Sequence, residues 1–129
     1  MAAAYTLKRL TDVTDSAPGL GVGAYQASRF ATDDLDAEQT GVTHHHFKAG
    51  KRQKIAHRHD EAEEIYVVLA GFGRIKLDDE IFEIEALDAI RVSPGVIRSF
   101  EGGSRGLDVL AVGAQHDGDG EVFEDWWTD

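Results

Sequence analysis

An all-β fold, an antiparallel barrel with at most one short helix, is what this 129-residue sequence predicts. Between residues 41 and 112 the chain breaks into short runs rich in Val, Ile, Leu, Tyr and Phe. Gly, Pro and paired Asp residues punctuate those runs every few positions, where positive φ or a fixed φ favours turns. No long segment carries apolar residues at helical period.

In order, strands are expected at residues 41–48, 55–57, 63–70, 73–77, 81–84, 89–92, 98–100 and 107–112. Each is rich in β-branched, aromatic or aliphatic side chains and is bounded by turn residues. Turns are expected at Gly71 to Gly73, Asp78-Asp79, Pro94-Gly95 and Gly102-Gly103. Residues 32–39 open on Thr32, Asp33 and Asp34, capping-type residues with an acidic first turn, so either a short helix or an acidic loop is expected there. Trp126 and Trp127 are too apolar for a solvated tail and should pack on the barrel or on a second copy of the chain.

Composition narrows the function. The length suits a single domain over residues 1–129, since one core usually runs to about 100–150 residues. The absence of Cys removes disulfides, thiolate metal sites and cysteine nucleophiles, leaving His and carboxylates as the strong metal ligands. A net charge of −11 repels phosphate backbones and anionic headgroups, which argues against nucleic acid and membrane partners. No apolar run approaches the roughly 20 residues of a membrane span, and the first ten residues lack the pattern of a secretory leader; a cytoplasmic location is expected.

The chemistry concentrates between Gly50 and Gly71. Residues i and i+2 of an extended chain project to one face, so His57 and His59 aim the same way and can share one metal ion. Glu64 opens the next apolar strand, where the intervening turn can bring its carboxylate opposite the two imidazoles. With Glu64 inward, Tyr66 and Val68 are inward too, while Ile65, Val67 and Leu69 make the other face equally apolar. A strand apolar on both sides needs a second sheet or a second chain, and a homodimer is expected. In the run His44 to His46, His44 and His46 share one face and His45 takes the other, and one of these faces looks into the barrel. An inward His could serve as a further ligand. The basic island Lys48, Lys51, Arg52 and Lys54 reads as a solvated loop that balances the acidic run from Asp60 to Glu64.

Gly50, His57, His59, Glu64 and Gly71 resemble the first motif of the cupins, with one extra residue between Gly50 and His57. Residues 87–100 resemble the second: Pro94 and Gly95 match, while Leu87 stands for a Gly, Ser93 for a Pro and Arg98 for the third histidine ligand. The resemblance implies a small single-domain cupin, a jelly-roll barrel with its first motif at about 50–71 and its second at about 87–100. It also implies pairing into dimers and a possible divalent ion (Fe, Mn, Ni, Co or Zn) on His57, His59 and Glu64.

Arg98 changes that expectation. A guanidinium about 4 Å from a divalent ion would cost on the order of 8 kcal/mol at an effective dielectric near 20. Three arrangements are open: Arg98 turned out of the barrel beside a three-ligand site, Arg98 paired with Glu64 in place of a metal, or Arg98 holding the carboxylate or phosphate of a ligand. The leading expectation is a barrel that binds a small, anionic organic molecule, with Arg98, Tyr66, Phe100 and His46 as ligand-binding residues. The alternatives are a divalent-metal enzyme of isomerase or dioxygenase type and a non-catalytic interaction or storage barrel.

Overall fold

The computed structural model describes residues 3–115 and 118–128. Eight strands follow two single-turn 3₁₀ segments, Leu10–Asp12 and Pro18–Leu20: β1 Gln26–Phe30, β2 Thr40–Phe47, β3 Ile55–Arg58, β4 Glu64–Leu77, β5 Glu80–Glu85, β6 Ala89–Val92, β7 Arg98–Ala114 and β8 Glu121–Glu124. All pairings are antiparallel. There is no α-helix among the described residues, and no helix long and apolar enough to cross a membrane.

The two long strands organise the barrel. β4 and β7 pair almost end to end, with bulges between Val68 and Ala70 and between Gly71 and Gly73. Beyond the bulges each strand changes partners: the first half of β4 joins β6 and its second half β5, while the first half of β7 joins β3 and its second half β2. One strand pair thus runs through the whole of a single curled eight-stranded sheet, as bulged strands can when they bend. Gly71 makes the bend possible: its φ is +77°, and a Cβ there would run into the Gly106 carbonyl. Inside the curl lie Phe47, Tyr66, Val68, Ile75, Phe100 and Leu107, all buried.

Several expectations change accordingly. Gly71 to Gly73 and Gly102-Gly103 lie inside strands, so the pairs 63–70 with 73–77 and 98–100 with 107–112 merge into β4 and β7. Local turn chemistry there is outweighed by continuous pairing with the neighbouring strand. Strands β1 and β8 are additional, recruited by β2 and β3. Residues 32–36 form turns, not a helix; Asp36 at φ 55° closes them after the Leu35 N–H reaches the Ala31 carbonyl.

The C-terminal tryptophans pack on their own barrel. Trp127 is buried, with the Arg52 guanidinium 4.7 Å and that of Arg74 5.2 Å from its ring centre. Lys76 lies 4.6 Å over Trp126. The basic island is therefore partly structural, with Arg52 donating to Glu101 at 2.6 Å and Lys54 to Asp125 at 2.9 Å.

Leu87 sits at φ 74° with 85% of its surface exposed, in the position where the second motif would carry Gly. A left-handed Leu is strained by about 1–2 kcal/mol, whereas Gly there is not. After the entropy Gly loses on folding, Leu87→Gly is expected to stabilise the protein by about 0.5–1 kcal/mol, read as a melting temperature a few degrees higher. An unchanged or lower melting temperature would show that the exposed Leu side chain makes compensating contacts.

Candidate metal and anion site

Strand alternation and one turn assemble the site. His57 lies on β3 opposite Arg98 of β7, so both side chains rise from the same face. His59 follows two residues later, and Glu64 and Tyr66 enter the same interior from the start of β4. His57 Nε2 and His59 Nε2 each lie 3.5 Å from one Glu64 oxygen, Oε1, and the three ligand atoms all lie within 4.8 Å of one another. Two ligands of a tetrahedral ion, each bound at 2.0–2.2 Å, would stand about 3.4 Å apart, so the set suits a small divalent ion. The Tyr66 hydroxyl donates to Glu64 Oε1 and lies 3.5 Å from His57 Nε2.

These contacts set the protonation states. Burial would raise the Glu64 carboxyl, but hydrogen bonds from His57, His59 and Tyr66 outweigh it and hold the group well below the usual carboxylate range. His59 is pushed up, chiefly by its hydrogen bond to Glu64. Burial lifts the Tyr66 phenol well above its ordinary value, so it is a neutral donor.

Arg98 is 0% exposed, and Nε, Nη1 and Nη2 have no hydrogen-bond partner among the described residues. Of the three arrangements, the outward one is removed by this burial. The pairing with Glu64 is also not formed, since Glu64 is engaged by Tyr66, His57 and His59. What stands is a buried cation with free donors, whose charge reaches both His59 and Tyr66. Phe100 stacks on Phe47 at 5.1 Å and meets Tyr66 edge-on at 5.0 Å, backing the site from the packed core. Beside His59 and Glu64 a cavity of about 70 Å³, also lined by Gly41, Thr43 and Ala111, has room for a small polar group or a few waters.

No protein-family model and no curated protein matches the chain. Solved structures do match. A cupin protein from Bacteroides fragilis is 22% identical with a TM-score of 0.70, over 98% of this chain and 98% of that one. The chain has the cupin fold. The polyketide cyclase RemF of Streptomyces resistomycificus is a further cupin-like neighbour, 21% identical with a TM-score of 0.72, over 96% of this chain and 89% of that one. Oxalate decarboxylase of Bacillus subtilis is 16% identical with a TM-score of 0.73, covering 97% of this chain but 32% of the larger enzyme.

In this cupin barrel the inward histidine of β2 is His45, not His46. His44 Nε2 and His46 Nδ1 lie 3.0 and 3.2 Å from Asp108 Oδ1, on the face opposite His45 and Phe47. His46 is therefore not among the residues of the barrel interior. Phe47 decides the register, because its ring belongs to the core and alternation then turns His45 inward.

Sequence reasoning also misses Asp119, which orients His59. The Asp119 carbonyl accepts from His59 Nδ1 at 2.9 Å, which leaves Nε2 to face Glu64. Its carboxylate accepts the backbone N–H groups of Asp60, Glu61 and Ala62 at 2.6, 2.8 and 2.9 Å, and so holds the turn between His59 and Glu64. An Asp in a glycine-rich loop sixty residues from the motif carries no signal of this in sequence. Asp119→Ala is expected to lower the melting temperature and weaken divalent-metal binding by about 10-fold to 100-fold, the usual effect of removing an outer partner. Calorimetric titration with Zn²⁺ checks this, and unchanged affinity would mean that the turn holds without Asp119.

Proposed function

We propose that this cupin binds a small organic anion inside its barrel, with Arg98 as the anchor. The supporting observation is the buried guanidinium with no hydrogen-bond partner on any of its nitrogens among the described residues. An unpaired buried charge costs several kcal/mol, and a ligand carboxylate or phosphate offsets that cost through paired N–H donors. Tyr66 walls the site on the side of Glu64. The test is binding of small carboxylates and phosphate to the wild type and to Arg98→Met. Binding that is equal in both proteins, or absent from the wild type, removes this reading.

A second reading is supported by the 3.5 Å separations between the two imidazoles and Glu64. Here His57, His59 and Glu64 hold a divalent ion (Fe, Mn, Ni, Co or Zn), and the protein is an enzyme of isomerase or dioxygenase type. The ion would supply Lewis acidity to a bound substrate. RemF and oxalate decarboxylase lend this reading a fold-level analogy. Elemental analysis of the purified protein tests it: a stoichiometric metal supports it, and none after metal supplementation counts against it.

We also propose a homodimer. Ile65 and Leu69 are 42% and 44% exposed on the outer face of β4. Leu110 and Val112 pair beside Val67 and Ile65, making the patch continuous across strands. Because Trp127 is covered by its own chain, this face carries the argument alone. Light scattering at micromolar concentration is expected to give twice the monomer mass, falling to the monomer mass in Ile65→Lys. A wild-type monomer mass unchanged on concentration would contradict it.

A further inference from the structure

His57 and His59 depend on the far end of the chain for their placement. Ile55, Ala56, His57 and Arg58 of β3 all pair with β8, whereas His57 alone of them pairs with β7. The strand that carries one imidazole is thus held in the sheet chiefly by β8. His59 is held by the residue just ahead of β8. A carbonyl oxygen only accepts, so the 2.9 Å contact with the Asp119 carbonyl keeps a proton on Nδ1 and makes Nε2 the nitrogen left for an ion. Gly120 lets the chain come in this close, since a Cβ there would run into the Arg58 carbonyl.

By itself β8 has little to hold it. Among the described residues it pairs with β3 alone, its Glu121, Val122 and Glu124 are exposed, and the solvated pair of Arg58 with Glu121 contributes little. Its grip comes from the two ends. At the site end the Asp119 carboxylate ties down the turn from Asp60 to Ala62. At the other end Asp125 donates its N–H to the Lys54 carbonyl at 3.0 Å, and Trp127 is the only buried hydrophobic residue among residues 118–128. The guanidiniums of Arg52 and Arg74 lie against its ring, and Glu101 fixes both by accepting from them at 2.6 and 2.9 Å. Arg52 also donates to the Trp127 carbonyl at 3.1 Å.

We propose that Trp127 is a positioning residue for the ion site: it latches the strap from Asp119 to Trp127 across β3, and strap docking and ion binding at His57, His59 and Glu64 strengthen one another. This rests on the metal reading and deepens it. Docked, the strap supplies the tautomer of His59 and the ladder that holds His57. Undocked, both ligands lose that support, so affinity follows the docked fraction. The coupling is reciprocal: whatever factor the latch adds to ion affinity, a bound ion adds to docking of the latch.

Zn²⁺ titration of the full chain is expected to give binding at least about five-fold weaker in Trp127→Ala than in the wild type. Trp127→Phe should lie closer to the wild type, because a ring still meets the two guanidiniums. Ile84→Val is the control: it thins the core on β5, which pairs with β4 alone, so it should lower the melting temperature and leave Zn²⁺ affinity within about two-fold. In the wild type, saturating Zn²⁺ should slow amide exchange of Asp125, at the latch end of the strap, by about the factor that Trp127→Ala costs in affinity. Arg74→Gln, which takes one guanidinium off the ring, should also weaken binding and serves if Trp127→Ala does not fold. Zn²⁺ affinity in the strap variants within about two-fold of the wild type, an equal loss in Ile84→Val, or Asp125 exchange that Zn²⁺ leaves unchanged overturns the latch and leaves the metal reading standing. A wild type that binds no Zn²⁺ overturns both.

Discussion

Arg98→His is expected to raise affinity for a divalent cation by at least about ten-fold and to abolish binding of small carboxylates. Two effects add. The substitution removes a buried positive charge whose field reaches His59, and it supplies an imidazole at the position where a third nitrogen ligand would complete the set. Arg98→Met separates them: it removes the charge without adding a ligand, so metal affinity should rise less than in the His variant while carboxylate binding is lost equally. Arg98→Met should also stabilise the ligand-free protein by about 1–4 kcal/mol, because an unpaired buried guanidinium gives way to an apolar side chain of similar reach. Calorimetric titration with Zn²⁺ or Co²⁺ and thermal melts read all three effects. Equal metal affinity in the wild type and both variants would show that residue 98 does not act on the ion.

Glu64→Gln should produce the second large effect, a fall in metal affinity of about 100-fold or more, because the charged ligand of the set becomes a neutral amide. It should also destabilise the metal-free protein by about 1–3 kcal/mol, since His57, His59 and Tyr66 all converge on the one carboxylate oxygen and an amide cannot replace all three contacts. The wild-type pH dependence follows from the two shifts. Glu64 is depressed from 4.5, so its stabilisation is fully present above that value and is lost as pH falls through its lower folded value. His59 is raised from 6.5, so its contribution is full below that value and is lost as pH rises through its higher folded one. The metal-free protein should therefore become less stable as pH rises past neutrality. Metal affinity should climb over the same range, because a ligand histidine must be neutral. In Glu64→Gln the alkaline loss should shrink, since the main partner that raises His59 is gone. Melts of chelator-treated protein and metal titrations across this range provide the check. Metal affinity insensitive to pH in the wild type would argue that His59 is not a ligand.

The parts of this protein legible in its sequence are those governed by short-range geometry. The two-residue period of a strand puts His57 and His59 on one face and Glu64 with Tyr66 on another, and the structure brings those faces together. The same rule placed Ile65 and Leu69 outside. The all-β class and the antiparallel barrel followed from turn spacing and β-rich runs, as the eight antiparallel strands bear out.

Long-range pairing decided the rest. Gly71 and Gly102 look like turns in isolation, yet continuous pairing of β4 with β7 carries both inside strands, since the sheet recovers more hydrogen bonds than a local turn offers. Which of His45 and His46 faces inward depends on whether Phe47 joins the core, and alternation alone leaves both registers open. Strand β8 and Asp119 become part of the site only because β3 recruits them from sixty residues away. The burial of Arg98 is likewise a tertiary fact: its residue type suggested an anion, but only the closed barrel decides that the side chain is buried with no hydrogen-bond partner on its guanidinium among the described residues.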